Sequence, residues 1–200
     1  ENSNKKRIFN VITVILLFFI IAKLSINLYI AKTVLEPYKN KVENQIKIAK
    51  ENNIKDLIIT RLDDKNIDKD FSEILLNYSP SSSRDGIINI YMSKYYGFNS
   101  ITAITDNEYL LYIKLKEPLE NVKNYKIIDI TTNEKILENN NSDIVDFVEI
   151  VIPKEQYDNY KIKFENNIID KIEFVNISTN IDLLNKTMNT KSINYKNIIE

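Results

Sequence analysis

Residues 8–31 read IFNVITVILLFFIIAKLSINLYIA, and the basic residues Lys5, Lys6 and Arg7 stand directly before them. As an α-helix, this stretch would be about 36 Å long, which exceeds a hydrocarbon core of about 30 Å. Lys23 would lie within about 8 Å of the far edge of that core, where its stem can carry the ammonium group to the headgroups. The stretch therefore predicts a helix that crosses a lipid bilayer once.

The charges around this helix predict its orientation. Basic residues favour the cytoplasmic side of a membrane, so we expect residues 1–7 in the cytoplasm and the chain after residue 31 outside it. A cleaved secretory signal is the alternative, although neither Ala22 nor Ala31 stands in an A-x-A pattern. The sequence begins with Glu1 rather than Met, so we also expect a processed chain or a piece of a longer one.

The amino-acid composition argues against several classes of function. The 200 residues include no His, no Cys and no Trp, and only 2 Gly. Without His and Cys, serine–histidine and cysteine–histidine catalysis is impossible, and a zinc site is not expected. Two glycines are too few for a phosphate-binding loop, and the mildly acidic residues 33–200 lack the basic field that nucleic-acid binding needs. We therefore expect a non-enzymatic protein without cofactors or metal ions.

The segment after the membrane helix is predicted to be largely helical. Apolar residues recur at helical spacing from Val34 to Ala49. Residues 54–62 form a short apolar run that fits either a strand or a helix, and residues 68–78 predict a further short helix. The predicted division of the chain is a cytoplasmic flank (1–7), a membrane anchor (8–31), a juxtamembrane α-rich segment (32–78), a linker (79–85), a β-sandwich domain (86–178) and a polar C-terminal tail (179–200). Within the tail, residues 180–188 could form one or two helical turns, and the rest is expected to be loose.

From Gly86 onward, apolar and polar residues alternate with the period of a β-strand. Ile88, Ile90 and Met92 predict the first strand, and we expect a later hairpin to turn at Asp106-Asn107. Six or seven short strands with frequent turn signals are typical of an antiparallel β-sandwich, so the predicted fold class is mainly β. Further strands are expected near residues 101–105, 109–116, 125–131, 147–152, 160–164 and 168–177.

One corner of this region resembles a known family of domains. Val148–Pro153 and Lys161–Phe164 flank the stretch Tyr157-Asp158-Asn159-Tyr160. This resembles the E–F corner of immunoglobulin-like and fibronectin type III-like domains, where a tyrosine near the start of the F strand bonds back to the backbone. The resemblance implies that Tyr160, or else Tyr157, is a structural corner residue, and it carries no function with it.

The residues offer two kinds of candidate site, one for calcium and one for sugars. Asp64, Asn66 and Asp68 match the first three ligand positions of a calcium loop, but the glycine and glutamate that such a loop needs are replaced by Lys69 and Leu75. The cluster of amides and carboxylates at 139–146 is a second weak candidate for calcium. The tyrosines at 91, 95, 96, 109 and 112 could stack on sugars, but aromatic residues also populate strands and cores.

The aromatic cluster beside Gly97 is the candidate interface. Tyr95, Tyr96 and Phe98 stand close together, and an exposed patch of this kind marks a contact surface. The sequence predicts no catalytic residue.

These observations support a membrane-anchored, extracytoplasmic protein with a non-catalytic β-domain. The bias towards Ile, Asn, Lys and Tyr is typical of an AT-rich genome, such as that of a low-GC Gram-positive bacterium. We expect the domain to bind an envelope protein or to support an assembly, with the bilayer as a second partner through residues 8–31. The alternatives are the sensor or regulatory part of a larger membrane protein of the anti-sigma-factor kind, a pilin-like subunit, and a hydrolase that uses only carboxylates.

Overall fold

The computed structural model describes residues 2–62, 79–120, 122, 124–130, 135–139 and 143–200. These residues form two compact units, Glu1–Glu43 and Asn44–Glu200. The helix expected at 68–78 and the weak calcium candidate at 64–68 lie outside the described residues, as do residues 140–142 of the cluster at 139–146.

The first unit is dominated by the apolar helix α1 (Asn2–Ile30). A π-helical turn (Ala31–Leu35) and helix α2 (Glu36–Glu51) follow it. Pro37 has no N–H and its ring crowds the carbonyl four residues earlier, which is a common cause of such a turn. Within the described residues, one helix is long and apolar enough to cross a membrane, and none of its apolar window is buried.

The second unit consists mostly of antiparallel β-structure. The strands are β1 (Asp56–Thr60), β2 (Ser100–Ile104), β3 (Glu108–Leu119), β4 (Tyr125–Asp129), β5 (Lys135–Asn139), β6 (Val145–Pro153), β7 (Tyr160–Phe164), β8 (Ile172–Ser178) and β9 (Thr190–Ser192). A four-stranded sheet has the order β6-β3-β8-β9, and a three-stranded sheet has the order β5-β4-β7. A separate pair, β1 and β2, is parallel and has helix α3 (Ile87–Tyr96) between its strands in the sequence.

The two antiparallel sheets share one hydrophobic core. Alternate residues of β3 (Leu111, Ile113 and Leu115) enter it from one sheet, and Ile127 of β4 and Ile162 of β7 enter it from the other. This is the consequence of the period of two along each strand, which sends successive side chains to opposite faces. The coarse prediction of a long apolar helix followed by mostly antiparallel β-structure is thus confirmed.

The outer face of the four-stranded sheet carries the parallel pair. Leu110 points away from the main core and packs with Ile58 of β1 and Ile104 of β2. Partly buried Val151 and Met188 join this smaller cluster. The parallel pair therefore packs against the part of this face that carries Leu110.

The prediction that Ile88, Ile90 and Met92 lie in the first strand of the domain is wrong. Ile88, Ile90 and Met92 lie in helix α3, which spans Ile87–Tyr96. Asn89 and Ser93, four residues apart, are its buried residues, and this spacing is that of a helix. Burial in this segment therefore follows the helical spacing of four residues and not the alternation of polar and apolar residues.

The hairpin expected at Asp106-Asn107 is also wrong. The turn exists, because the Glu108 N–H donates to the Thr105 carbonyl at 3.2 Å. However, β2 pairs in parallel with β1 and not with β3, so the chain passes from one sheet to another at this turn. β1 precedes residues 79–85 and β2 follows them, so strand pairing crosses the predicted linker.

The expectation of a loose tail after residue 188 is wrong as well. Residues Thr190–Ser192 form β9, which pairs with β8. Ile198 and Ile199 are buried in the main core, and Ile199 bridges to Ile162 in parallel. The last residues therefore extend the three-stranded sheet beyond β7.

Candidate functional site

Helix α3 has an unusual distribution of polarity. Its buried residues are the polar Asn89 and Ser93, whereas Ile87, Tyr91 and Tyr95 are 71%, 68% and 82% exposed. A helix on the surface of a soluble domain normally buries its apolar stripe and exposes its polar one. The exposed residues are spaced four apart, so they lie along one side of the helix. We call Ile87, Tyr91 and Tyr95 the α3 face.

Two glycines set the ends of this helix. Gly86 precedes it, and a Cβ at this position would come within 2.4 Å of Ser81 Oγ and 3.1 Å of the Ser83 carbonyl oxygen. Gly97 ends it with φ of +79°, and its N–H donates to the Ser93 carbonyl at 2.9 Å. A left-handed residue at this position is a common helix stop, and glycine adopts it without strain.

Asn89 anchors the buried side of α3. Its side chain accepts from the Ser81 N–H at 2.8 Å, and its Nδ2 lies 2.7 Å from the Ser81 carbonyl, 2.9 Å from that of Ser83 and 2.9 Å from that of Ile101. These contacts tie residues 81–83 and β2 to the helix. Since backbone groups bind the polar side of α3, that side is committed to the fold, and the apolar side is left outward.

The predicted interface residues divide between surface and interior. Tyr95 is fully outward, and its ring meets that of Tyr96 edge-on at 4.8 Å. Tyr96 is half-buried under Lys50, whose Nζ lies 5.4 Å from the ring centroid. Phe98 is buried. The exposed surface therefore runs from Tyr95 back along the helix through Tyr91 to Ile87, which sequence reasoning assigned to a strand.

A groove lies between the parallel pair and the outer face of the four-stranded sheet. Its volume is about 360 Å³, near the lower limit of roughly 300 Å³ for small-molecule sites. Its lining includes Asp56, Arg84, Ser100, Tyr112, Phe174 and Asn176. Charged, hydroxyl, amide and aromatic side chains thus line the same groove.

Arg84 occupies one end of this groove and its charge is neutralised there. Its Nε donates to Glu149 Oε1 at 2.5 Å, and its Nη1 lies 3.5 Å from Asp56 Oδ1. The guanidinium carbon also lies 5.3 Å from the Tyr112 ring centroid and 5.9 Å from that of Phe147. Such a position over aromatic faces is favourable for a cation.

Burial and charge act in opposite directions on Glu149. Burial raises the pKa of this carboxyl, while the Arg84 guanidinium lowers it, and the net shift is upward. The nearby Asp146 behaves differently, because its hydrogen bond from Lys114 holds the pKa of Asp146 below its ordinary value. Burial therefore makes the ionised form of Glu149 less favourable, and the contact with Arg84 offsets part of that free-energy cost.

A third polar cluster lies where β1 and β2 end. Gln45 Nε2 donates to Thr60 Oγ1 at 3.0 Å, and Gln45 Oε1 accepts from the Thr60 N–H at 3.0 Å. Asn180 Nδ2 donates to Asp106 Oδ1 at 2.6 Å. Asn180 Nδ2 also donates to Thr60 Oγ1 at 3.0 Å, so the cluster joins α2, β1 and the C-terminal segment structurally. No group of three carboxylates able to hold a metal ion occurs in the described part of the chain.

Tyr160 lies at the corner that the sequence indicated. It is buried at the start of β7, after a 3₁₀ turn (Lys154–Asn159) that carries the chain from one sheet to the other. Burial, followed by the charge of Asp129, raises the pKa of the Tyr160 hydroxyl. The backbone hydrogen bond that defines a tyrosine corner stays a prediction.

Neither family models nor curated proteins nor solved structures provide a match to the chain.

Sequence reasoning named Tyr95 as an interface candidate, but it missed the helix that sets Tyr91 and Ile87 on the same side, and it missed the groove. A helical reading of residues 86–97 would have needed two signals, the four-residue spacing of Asn89 and Ser93 and Gly97 as a C-terminal stop. The groove combines residues from β1, β2, β3 and β8 with Arg84. These residues are far apart in the sequence, so no local sequence pattern predicts that they line one groove.

Proposed function

We propose that this chain is a single-pass membrane protein whose β-rich unit lies outside the cytoplasm and binds an envelope protein through the α3 face. The observation that carries the proposal is the inverted polarity of α3, with Asn89 inside and Ile87, Tyr91 and Tyr95 outside. Exposing these side chains to water forgoes the stabilisation that burial would give, roughly 25 cal/mol for each Å² of apolar surface. A partner that covers them recovers it.

The chemistry of the α3 face suits a protein partner. Tyrosine is enriched at the centres of interfaces because it combines a large apolar ring with a polar hydroxyl. Ile90 and Lys94 flank the stripe and are also exposed. The expected partner surface is a shallow apolar groove or helix face with a carboxylate near Lys94.

The immunoglobulin-like or fibronectin type III-like character of the β-region belongs to the same proposal. Support comes from two antiparallel sheets around one core and from Tyr160 at the crossing between them. Domains of this architecture present their loops and faces to other proteins, although the fold alone does not define a function.

Site-specific photocrosslinking in cells tests the proposal. A photoreactive phenylalanine analogue replaces Tyr91 in the full chain, and Leu184, which is 92% exposed on another segment, receives the same analogue as the control. We expect one discrete adduct with a membrane or envelope protein from position 91 and none from position 184. Tyr95→Ser in the same chain should reduce the adduct at least fivefold. Equal adduct patterns from both positions, or adducts to lipid alone, would contradict the proposal.

A further inference from the structure

We propose that the groove over Phe174 binds a neutral saccharide unit. The proposal concerns a different surface from the α3 face, because the groove is lined by the outer side of the four-stranded sheet and by β1 and β2. Its volume of about 360 Å³ accommodates one or two sugar rings.

The charges in the groove favour a neutral ligand. Arg84 is held between Glu149 and Asp56, and Asp56 also accepts from Ser100 Oγ at 2.6 Å. An anionic ligand would have to displace one of these carboxylates from Arg84, and a cationic ligand would have to displace Arg84 itself. Breaking a partly buried charge pair is costly, whereas a neutral ligand leaves every pair intact.

The aromatic groups provide a surface for the apolar side of a sugar ring. Phe174 and Tyr112 are half-buried neighbours whose ring centroids lie 6.1 Å apart. Arg84 lies over Tyr112, so Phe174 is the ring that we assign to the ligand. The negative face of an aromatic ring attracts the polarised C–H groups on the flat side of a sugar.

Hydrogen-bonding groups stand at the right distance from this ring. Asn176 follows Phe174 by two residues on the same face of β8, which places it about 7 Å along the strand. Its amide offers both donors and an acceptor to vicinal hydroxyls. Thr190 Oγ1, which lies 2.9 Å from Ser178 Oγ, and Ser100 Oγ, which donates to Asp56, stand at the sides of the groove, and each hydroxyl oxygen can accept from a ligand. An aromatic ring beside an amide and two hydroxyls is complementary to a ring that is apolar on one side and hydroxylated at its edge.

Titration calorimetry and NMR on the full chain in lipid nanodiscs test this assignment. The probes are glucose, galactose and N-acetylglucosamine, with glucuronate as the charged counterpart of glucose. We expect saturable, millimolar binding of at least one neutral sugar, with shifts confined to the residues that line the groove on β1, β2, β3, β8 and β9. Glucuronate should bind at least tenfold more weakly than glucose if glucose is bound.

Three variants locate the site. Phe174→Leu keeps an apolar side chain on the sheet and should weaken binding at least tenfold, and Asn176→Ala should weaken it at least fivefold. Thr190→Ala, at an exposed position, is a third groove variant whose sugar binding can be measured if either of the other two fails to fold. Tyr91→Ser on the α3 face should leave sugar binding unchanged. The absence of saturable binding by all three neutral sugars, or binding that none of the groove variants weakens, would overturn the proposal.

Discussion

Asn89 shows how a single polar residue determines what a helix leaves exposed. It is 1% exposed and contacts four backbone groups in residues 81–83 and β2. Buried backbone groups need such partners, because leaving one unsatisfied costs about 1–3 kcal/mol. The side of α3 that carries Asn89 is thereby fixed towards the strands.

Asn89→Ala should lower the free energy of unfolding by about 3 kcal/mol, since several backbone groups lose their partner at once. Asn89→Asp should be at least as destabilising, because a carboxylate can accept from the Ser81 N–H but cannot donate to carbonyls. Urea denaturation measures both. Asn99→Ala, at an exposed position, is the control and should change stability by less than about 0.5 kcal/mol. An Asn89→Ala chain as stable as the control would show that these contacts are dispensable.

Glu149 and Arg84 provide a prediction about pH. Burial already raises the pKa of Glu149 against the lowering effect of Arg84, so Arg84→Met should raise that pKa further. A carboxyl whose pKa is higher in the folded state binds its proton more tightly there. Its contribution to stability therefore falls as pH rises from the unfolded pKa of about 4.5 through the folded pKa. The loss of stability over this range should be steeper in Arg84→Met than in the parent chain.

An NMR titration of the Glu149 carboxyl carbon measures this shift directly, and urea denaturation at several pH values measures its consequence. Lys114→Met is the matched control, because Lys114 pairs with Asp146 rather than Glu149. A Glu149 pKa that is unchanged or lower in Arg84→Met would contradict the assigned contacts.

At the scale of elements, α3 explains where the sequence was and was not informative. Val148, Ile150 and Ile152 recur at every second position and do form a strand, because the face that carries them is buried in a core. The alternation from Ile88 to Met92 has the same appearance but belongs to a helix whose apolar side faces water. Periodicity identifies which side of an element is buried only when the apolar side is the buried one.

Strand pairing was the second feature that local patterns could not supply. The turn at Asp106-Asn107 is real, but β2 already has its partner in β1, forty-four residues earlier at the paired positions Asp56 and Ser100. Parallel pairing needs a long crossover, here one that contains α3, and a crossover leaves no signature at the turn itself. The antiparallel strands β4, β6 and β7 were predictable because each has a buried face and clear stop signals.

Gly97 provides the test at this scale. With φ of +79°, it ends α3 in a conformation that side chains disfavour, although no atom lies within 4 Å of a Cβ there. Gly97→Ala should therefore destabilise the protein by about 1 kcal/mol through backbone strain alone. Gly97→Asn should cost less, since asparagine tolerates this region better. Thermal and urea unfolding distinguish the two, and equal stability of all three chains would argue against a strained C-terminal stop.

At the scale of the whole molecule, the C-terminal residues complete the core. The Ile162 N–H donates to the Ile198 carbonyl at 2.7 Å, and the Glu200 N–H donates to the Ile162 carbonyl at 2.9 Å. Two apolar residues in a polar tail carry no periodicity, so nothing in the sequence distinguishes them from an exposed pair. Their burial depends on the open side of β7, which only the assembled sheet creates.

Ile199→Ala should lower the free energy of unfolding by about 3 kcal/mol, because it leaves a cavity at a position that is 1% exposed. Leu184→Ala, at a position that is 92% exposed, should change it by less than about 0.5 kcal/mol. Urea denaturation of both chains in the same lipid or detergent gives the comparison. Similar small effects in both would mean that the C-terminal segment does not close the core in solution.

The proposed topology can be tested cleanly because the chain contains no Cys. A single cysteine at Ser3→Cys should react with a membrane-impermeant maleimide only after permeabilisation, whereas one at Leu184→Cys should react in intact cells.

Lys23 interrupts the apolar helix, so Lys23→Leu should strengthen membrane retention by removing the cost of placing a charge near the hydrocarbon edge. The basic residues Lys5, Lys6 and Arg7 remain in that variant, and since they determine orientation, both labelling patterns should persist. Labelling of position 3 in intact cells, in the parent chain or in Lys23→Leu, would invert the proposed topology and remove the β-rich unit from the outer side of the membrane.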